Sequence, residues 1–185
     1  KNREYIRVKI GLVDGEIIVT PLDRKAGSLF SLSESDGYLI IDRNIEGYNR
    51  GDLVDVTLHR PIPKKVFENR MVSIGSHDIV LDILNDLFAK DNKLTRISSS
   101  HVGSLAGLKA LSQGDCMLAP SHLLDQNGTY NNEAIDLFFE KDEVSKINVV
   151  GRRQGIFVQK NNPLKIETIE DLLDKKMVNR QRGAG

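Results

Sequence analysis

Met71-Val72-Ser73-Ile74-Gly75-Ser76-His77-Asp78 reads as a short apolar strand that runs out into a hydroxyl and an imidazole. The same phrase returns twice. Ser100-His101 follows Leu94-Thr95-Arg96-Ile97-Ser98-Ser99, and Ser121-His122 follows Cys116-Met117-Leu118-Ala119-Pro120. Between the first two exits, residues 78–90 place Ile79, Leu81, Ile83, Leu84, Leu87 and Phe88 at helical spacing. Between the second and third, residues 104–113 do the same with Leu105, Leu108 and Leu111, and Gly114 supplies a stop. Short apolar strands alternating with helices predict a parallel α/β sheet. In such a sheet the carboxyl ends of the strands share one edge, where ligands bind. Three hydroxyl and imidazole pairs then face one crevice, suited to a small polar, anionic ligand.

Downstream, Ile147-Asn148-Val149-Val150 and Gly155-Ile156-Phe157-Val158 read as two more strands, residues 166–175 as a helix, and Met177-Val178-Asn179 as a last strand. The glycine-rich end Gly183-Ala184-Gly185 leaves a βα unit open, which reads as a truncation.

Upstream, the period is two rather than 3.6. Ile6, Val8, Ile10 and Leu12 alternate with polar residues, Asp14-Gly15 is a two-residue hairpin signal, and Ile17-Ile18-Val19 is the returning strand. Turns at 26–28, 35–37 and 49–52 separate further strands at Tyr38-Leu39-Ile40-Ile41 and 53–58. Short strands with turns every 8–12 residues predict a small barrel or sandwich. Arg60-Pro61-Ile62-Pro63-Lys64-Lys65 ends this pattern, and its two prolines suit a linker.

Charge excludes some functions. The chain has 185 residues with 26 basic and 26 acidic side chains. Residues 1–65 hold 11 basic and 10 acidic, and the remainder 15 and 16, so neither half carries a nucleic-acid surface. No apolar run approaches a membrane span. Cys116 stands alone, which excludes an internal disulfide and favours a reducing, cytoplasmic setting.

Each exit has a plain reading beside the functional one. Ser76 or Asp78 would cap a helix at the first exit. At the second, Ser98-Ser99-Ser100-His101-Val102-Gly103-Ser104 offers neutral donors and a glycine that permits close backbone approach. At the third, Tyr130 or Asn131 of the turn cluster 126–131 would reach back toward the crevice or simply lie at the surface. Arg152-Arg153-Gln154-Gly155 and Asn179-Arg180-Gln181-Arg182 supply positive charge near strand ends. The ligand-binding candidates are therefore Ser76, His77, Ser100, His101, Ser104, Ser121, Arg153 and Arg180. Two rivals are weaker. His77, His101 and His122 would make a three-histidine zinc site, yet no His-x-x-x-His or Cys-x-x-Cys spacing supports it. A serine hydrolase lacks its Gly-x-Ser-x-Gly elbow, and the P-loop and dinucleotide fingerprints are absent. No catalytic or metal-ligating residue is assigned.

Two resemblances follow from these motifs. Pro21, Ala26-Gly27-Ser28, Ser35-Asp36-Gly37-Tyr38 and Gly47 through Val54 resemble the C-terminal β domain of the MoeA/gephyrin family, which inserts molybdenum into molybdopterin. Ser-His-Asp at 76–78, Ser-His-Val-Gly-Ser at 100–104, Ser-His-Leu-Leu-Asp at 121–125, Arg-Arg-Gln-Gly at 152–155 and Asn-Arg-Gln at 179–181 resemble the PBP-like domain fused to some of its members. That domain is similar to molybdate-binding proteins and to LysR-type effector domains. The resemblance implies two domains: a small all-β barrel at 1–60, a linker at 61–66, and an incomplete type II PBP-like α/β domain at 67–185. It implies a ligand between two lobes, touching Ser76, Ser100, Ser104 and Arg153, with molybdate, tungstate or a molybdopterin derivative as candidates. The alternative it leaves is a structural or dimerisation module of a molybdopterin molybdenumtransferase, with no ligand of its own. The expected setting is cytoplasmic, with a homodimeric parent, no nucleic-acid or membrane partner and no covalent cofactor. The family's molybdopterin-binding domains do not occur in this sequence.

Overall fold

A computed structural model describes residues 2–22, 33–91, 95–151, 153, 155–173 and 175. The chain forms two compact units, 1–144 and 145–185.

The first unit opens with an antiparallel sheet. Strands β1 (Glu4–Val13), β2 (Glu16–Pro21), β3 (Gly37–Ile41) and β4 (Val56–Leu58) lie in the order β2-β1-β3-β4. Asp14 and Gly15 both have positive φ, 49° and 87°, as a two-residue turn matched to strand twist requires. The turn sets Val13 opposite Glu16 and thereby the whole register. The alternation of β1 then buries Ile6, Val8 and Ile10 on one face, and at its end Val13 is buried on the other. Ile6, Val8 and Ile41 form one core with Val19, Leu39, Ile45 and Val56 packed against it.

The expected barrel does not form: among the described residues β2 and β4 are the two edges of an open sheet. Strand alternation reports one buried face, which an open sheet and a closed one share. The segment 53–58 was to provide a full strand, but only three residues pair, and Leu53 is fully exposed.

The second sheet is parallel. Strand β5 (Arg70–Gly75) pairs with β6 (Arg96–His101) in register from Arg70↔Arg96 to Gly75↔His101. On the other side of β5 runs the segment 117–120. The Met117 amide donates to the Val72 carbonyl (2.9 Å), Ile74 to Leu118 (3.0 Å) and Ser76 to Pro120 (2.8 Å), with Ser73 bridged to Leu118. The spatial order is therefore 96–101, 70–75, 117–120. Helices α2 (Ile79–Asp91) and α3 (Ser104–Ser112) make the two crossovers.

Helix α1 (Lys64–Glu68) occupies the last part of the proline-bearing stretch, with Pro63 extended at its N-cap. The two sheets meet across that stretch. Val13 from β1 joins Val72, Ile74 and Cys116 in a second core, flanked by Ile18, Ala110 and Leu111.

In the second unit the expected strands at 147–150 and 155–158 are absent among the described residues. Ile147, Val149, Val150, Ile156, Phe157 and Val158 are all exposed. Apolar and β-branched residues favour a strand only where a neighbouring strand accepts them. Among the described residues the expected helix at 166–175 is reduced to one 3₁₀ turn, Glu170–Leu172. The strand expected at 177–179 lies outside the described residues. No described helix is long and apolar enough to cross a membrane.

Candidate functional site

All three Ser-His exits stand on one edge of the parallel sheet, and Gly75 joins them. Its carbonyl accepts the amides of Val102 (2.9 Å) and Gly103 (3.0 Å) from the second exit. Its α-carbon lies so close to Pro120 of the third that a β-carbon would meet the proline carbonyl at 2.6 Å. On the helix side Gly107 presses α3 onto the same point, where a β-carbon would stand 2.6 Å from the Gly75 α-carbon. Two glycines thus let a strand, a loop and a helix approach closely. This is also where the strand order reverses, the position at which parallel sheets open a binding crevice.

The histidines divide into two contacts. Nδ1 of His77 lies 3.2 Å from Nε2 of His101, with ring centroids 4.3 Å apart and planes tilted by 50°. One nitrogen must donate and the other accept. His101 is held below the ordinary histidine pKa, first by burial, then by His77 and Lys9, against the opposing pull of Asp82 and Glu34. His122 instead meets Ser104. Its amide donates to the buried Ser104 Oγ (3.2 Å), and its Nδ1 lies 3.4 Å from the same oxygen. The three imidazoles therefore do not converge, and among the described residues no group of three or more His, Cys, Asp or Glu could hold a metal.

Helix α3 begins beside this contact without a side-chain cap, because Gly103 occupies the N-cap with φ 91°. Its first-turn amides carry the positive end of the helix dipole beside the second and third exits. Helix α2 is different: Asp78 Oδ1 accepts the Val80 amide (2.9 Å), so the first exit is capped by its own aspartate.

The other expected residues fall into place individually. Ser76 is half-buried just past the end of β5, its amide spent on Pro120. Ser100 is buried on β6 in register with Ile74, and contributes to the sheet rather than to an open surface. The Ser121 hydroxyl donates to Ala119 O (3.2 Å) within its own turn. Arg153 is exposed in the second unit, and Arg180 lies outside the described residues.

Asn131 does reach back. Its side chain accepts the Leu123 amide (2.8 Å) and donates to Ser121 O (3.2 Å), clamping the third exit from a left-handed backbone (φ 67°). Behind it the buried Asp125 accepts the Asn132 and Glu133 amides and the Thr129 hydroxyl. Those bonds start α4 (Asn132–Phe138), which the sequence reading did not anticipate. The Asp125–Glu133 interval carried the signal, since an aspartate was available to satisfy the first amides of a helix seven residues on. Gly75 and Gly107 carry no signal in the sequence, because close approach between distant segments leaves no periodic mark.

Residues 85–185 match the PBP superfamily domain, which takes in the second and third exits, and residues 1–59 match the MoeA C-terminal region (domain IV). The chain is 34% identical over 117 residues to "Uncharacterized protein YvgK" of Bacillus subtilis, covering 62% of this chain and 38% of that one. It is 42% identical over 55 residues to "Putative molybdopterin biosynthesis protein MJ0666" of Methanocaldococcus jannaschii, covering 30% of this chain and 13% of that one. The chain thus spans less than two-fifths of the length of either relative. No solved structure matches it significantly. The chain belongs to the PBP superfamily, its PBP-like domain preceded by a MoeA C-terminal region.

Proposed function

We propose that the crevice between Ser76, the 101–104 loop and the 121–122 exit binds a small oxyanion, molybdate or tungstate, or a molybdopterin-derived ligand, in the service of molybdenum cofactor assembly. The observation that carries this reading is the uncapped start of α3 beside Ser104 and His122, at the reversal of strand order. Neutral hydroxyl, imidazole and amide donors suit an anion that must be held and released, since no fixed countercharge locks it in place. The PBP-like match supports a ligand-binding role, and the MoeA C-terminal region with the similarity to MJ0666 supports the cofactor pathway.

The test is thermal or urea unfolding with molybdate, tungstate, sulfate and phosphate. Anion at a hundred times its Kd adds about 2.7 kcal/mol of stability if it binds only the folded chain. Stabilisation by molybdate or tungstate at lower concentration than sulfate supports the assignment. No stabilisation by any of the four overturns the oxyanion reading, and no stabilisation by molybdopterin either leaves a structural module without a ligand.

A further inference from the structure

The contact between His77 and His101 has a chemical consequence for anion capture. Two imidazoles that share one N–H···N bond at 3.2 Å form a unit with a single hydrogen-bonded proton between them. A further proton converts the unit into an imidazolium bonded to an imidazole. A second further proton would have no acceptor across the contact and would meet a like charge with centroids 4.3 Å away. The pair lies beside the crevice, because His77 is two residues past Gly75 and His101 two before the α3 N-cap. Around it stand Lys9 from β1 in a 3.1 Å ion pair with Glu34, and Asp82 in the first turn of α2. All three act on His101 electrostatically, with Lys9 disfavouring the protonated form and the two acids favouring it.

We infer that His77 and His101 act as one proton-sharing pair that couples anion binding in the crevice to uptake of one proton. The inference rests on the proposed oxyanion site and adds its regulation. An anion beside the pair favours the imidazolium, and by linkage the proton favours the anion. With the pair neutral the site gains no charge from it and releases its ligand readily. With one added proton the pair carries a positive charge and the site tightens.

The experiment is isothermal titration of the full chain with molybdate and, separately, with sulfate, from pH 8 to pH 6. Each titration is run in two buffers of different ionisation enthalpy to count protons. The expected result is a Kd that falls with pH, by up to about tenfold per pH unit where the pair titrates, with uptake approaching one proton per anion. The double variant His77→Gln/His101→Gln should bind more weakly with neither proton uptake nor pH slope, while His59→Gln, at a histidine that contacts Ser35 outside the crevice, should keep both. Binding with a flat pH profile, or a slope lost in His59→Gln and retained in the double variant, overturns the coupling but leaves the oxyanion site standing. Absence of binding at every pH in the unsubstituted chain overturns both.

Discussion

Asp36 and Arg70 form a buried ion pair that ties the antiparallel sheet to the parallel one. Their side chains are 9% and 15% exposed, and the guanidinium meets both carboxylate oxygens. Asp36 also accepts the Ile10 amide (2.8 Å) at the open edge of β1, so one carboxylate ends a strand ladder and holds the first residue of β5.

Removing one member leaves the other charged and buried. Arg70→Met should cost about 3–5 kcal/mol in urea unfolding, a range typical of broken buried pairs. Replacing both, as Asp36→Leu/Arg70→Met, should cost distinctly less than the sum of the single variants. An additive cycle would show that the two side chains are not coupled.

Gly107→Ala tests the close approach at the site. Alanine is the better helix former by about 1 kcal/mol, so an unobstructed site would gain stability. Here the β-carbon meets Ile74 O at 2.5 Å and the Gly75 α-carbon at 2.6 Å, both backbone atoms that cannot swing away. A net loss of about 1–3 kcal/mol is expected, as for overpacked cores. Chemical denaturation of the variant reads the sign directly.

Ser73 offers the opposite outcome. It is 1% exposed at the centre of β5, and its hydroxyl is the buried side-chain polar atom without a hydrogen-bond partner among the described residues. An unpaired buried hydroxyl costs about 1–3 kcal/mol. Ser73→Ala removes it and leaves only a small void, so stability should rise by about 1 kcal/mol in the same assay.

Much of this arrangement was legible beforehand, and the exceptions share a cause. β1, β2, β3, α2 and α3 follow from patterns within a single segment: alternation, an Asp-Gly turn, and helical spacing ended by Gly114. The three exits lie together because strand–helix–strand order implies a parallel sheet whichever neighbours its strands choose. What failed depends on partners distant in sequence. Barrel closure requires β4 to reach β2, and the apolar segments 147–150 and 155–158 become strands only against a neighbour. Within the site, residue type pointed to Ser100 and Ser121, yet Ser100 is buried in the sheet and Ser121 bonds its own turn. Asn131, read as one of two residues able to reach back, is the one that does.

His101 sets an acid limit on the fold. Its folded-state pKa lies below its ordinary value of 6.5, so the folded chain resists a proton that the unfolded chain accepts. Its contribution is therefore present above pH 6.5 and is lost as pH falls through that value toward the depressed folded-state pKa. In ligand-free protein, Tm measured from pH 7.5 down to 5 should decline more steeply for the unsubstituted chain than for His101→Gln. Parallel curves would remove His101 as the cause.

The crevice itself is tested most directly by amide shifts of ¹⁵N-labelled chain titrated with molybdate. The largest changes should fall on residues 76–77, 101–106 and 121–123, with α1 and the β1–β2 hairpin unmoved. Changes centred elsewhere, or none at saturating anion, would contradict the oxyanion site.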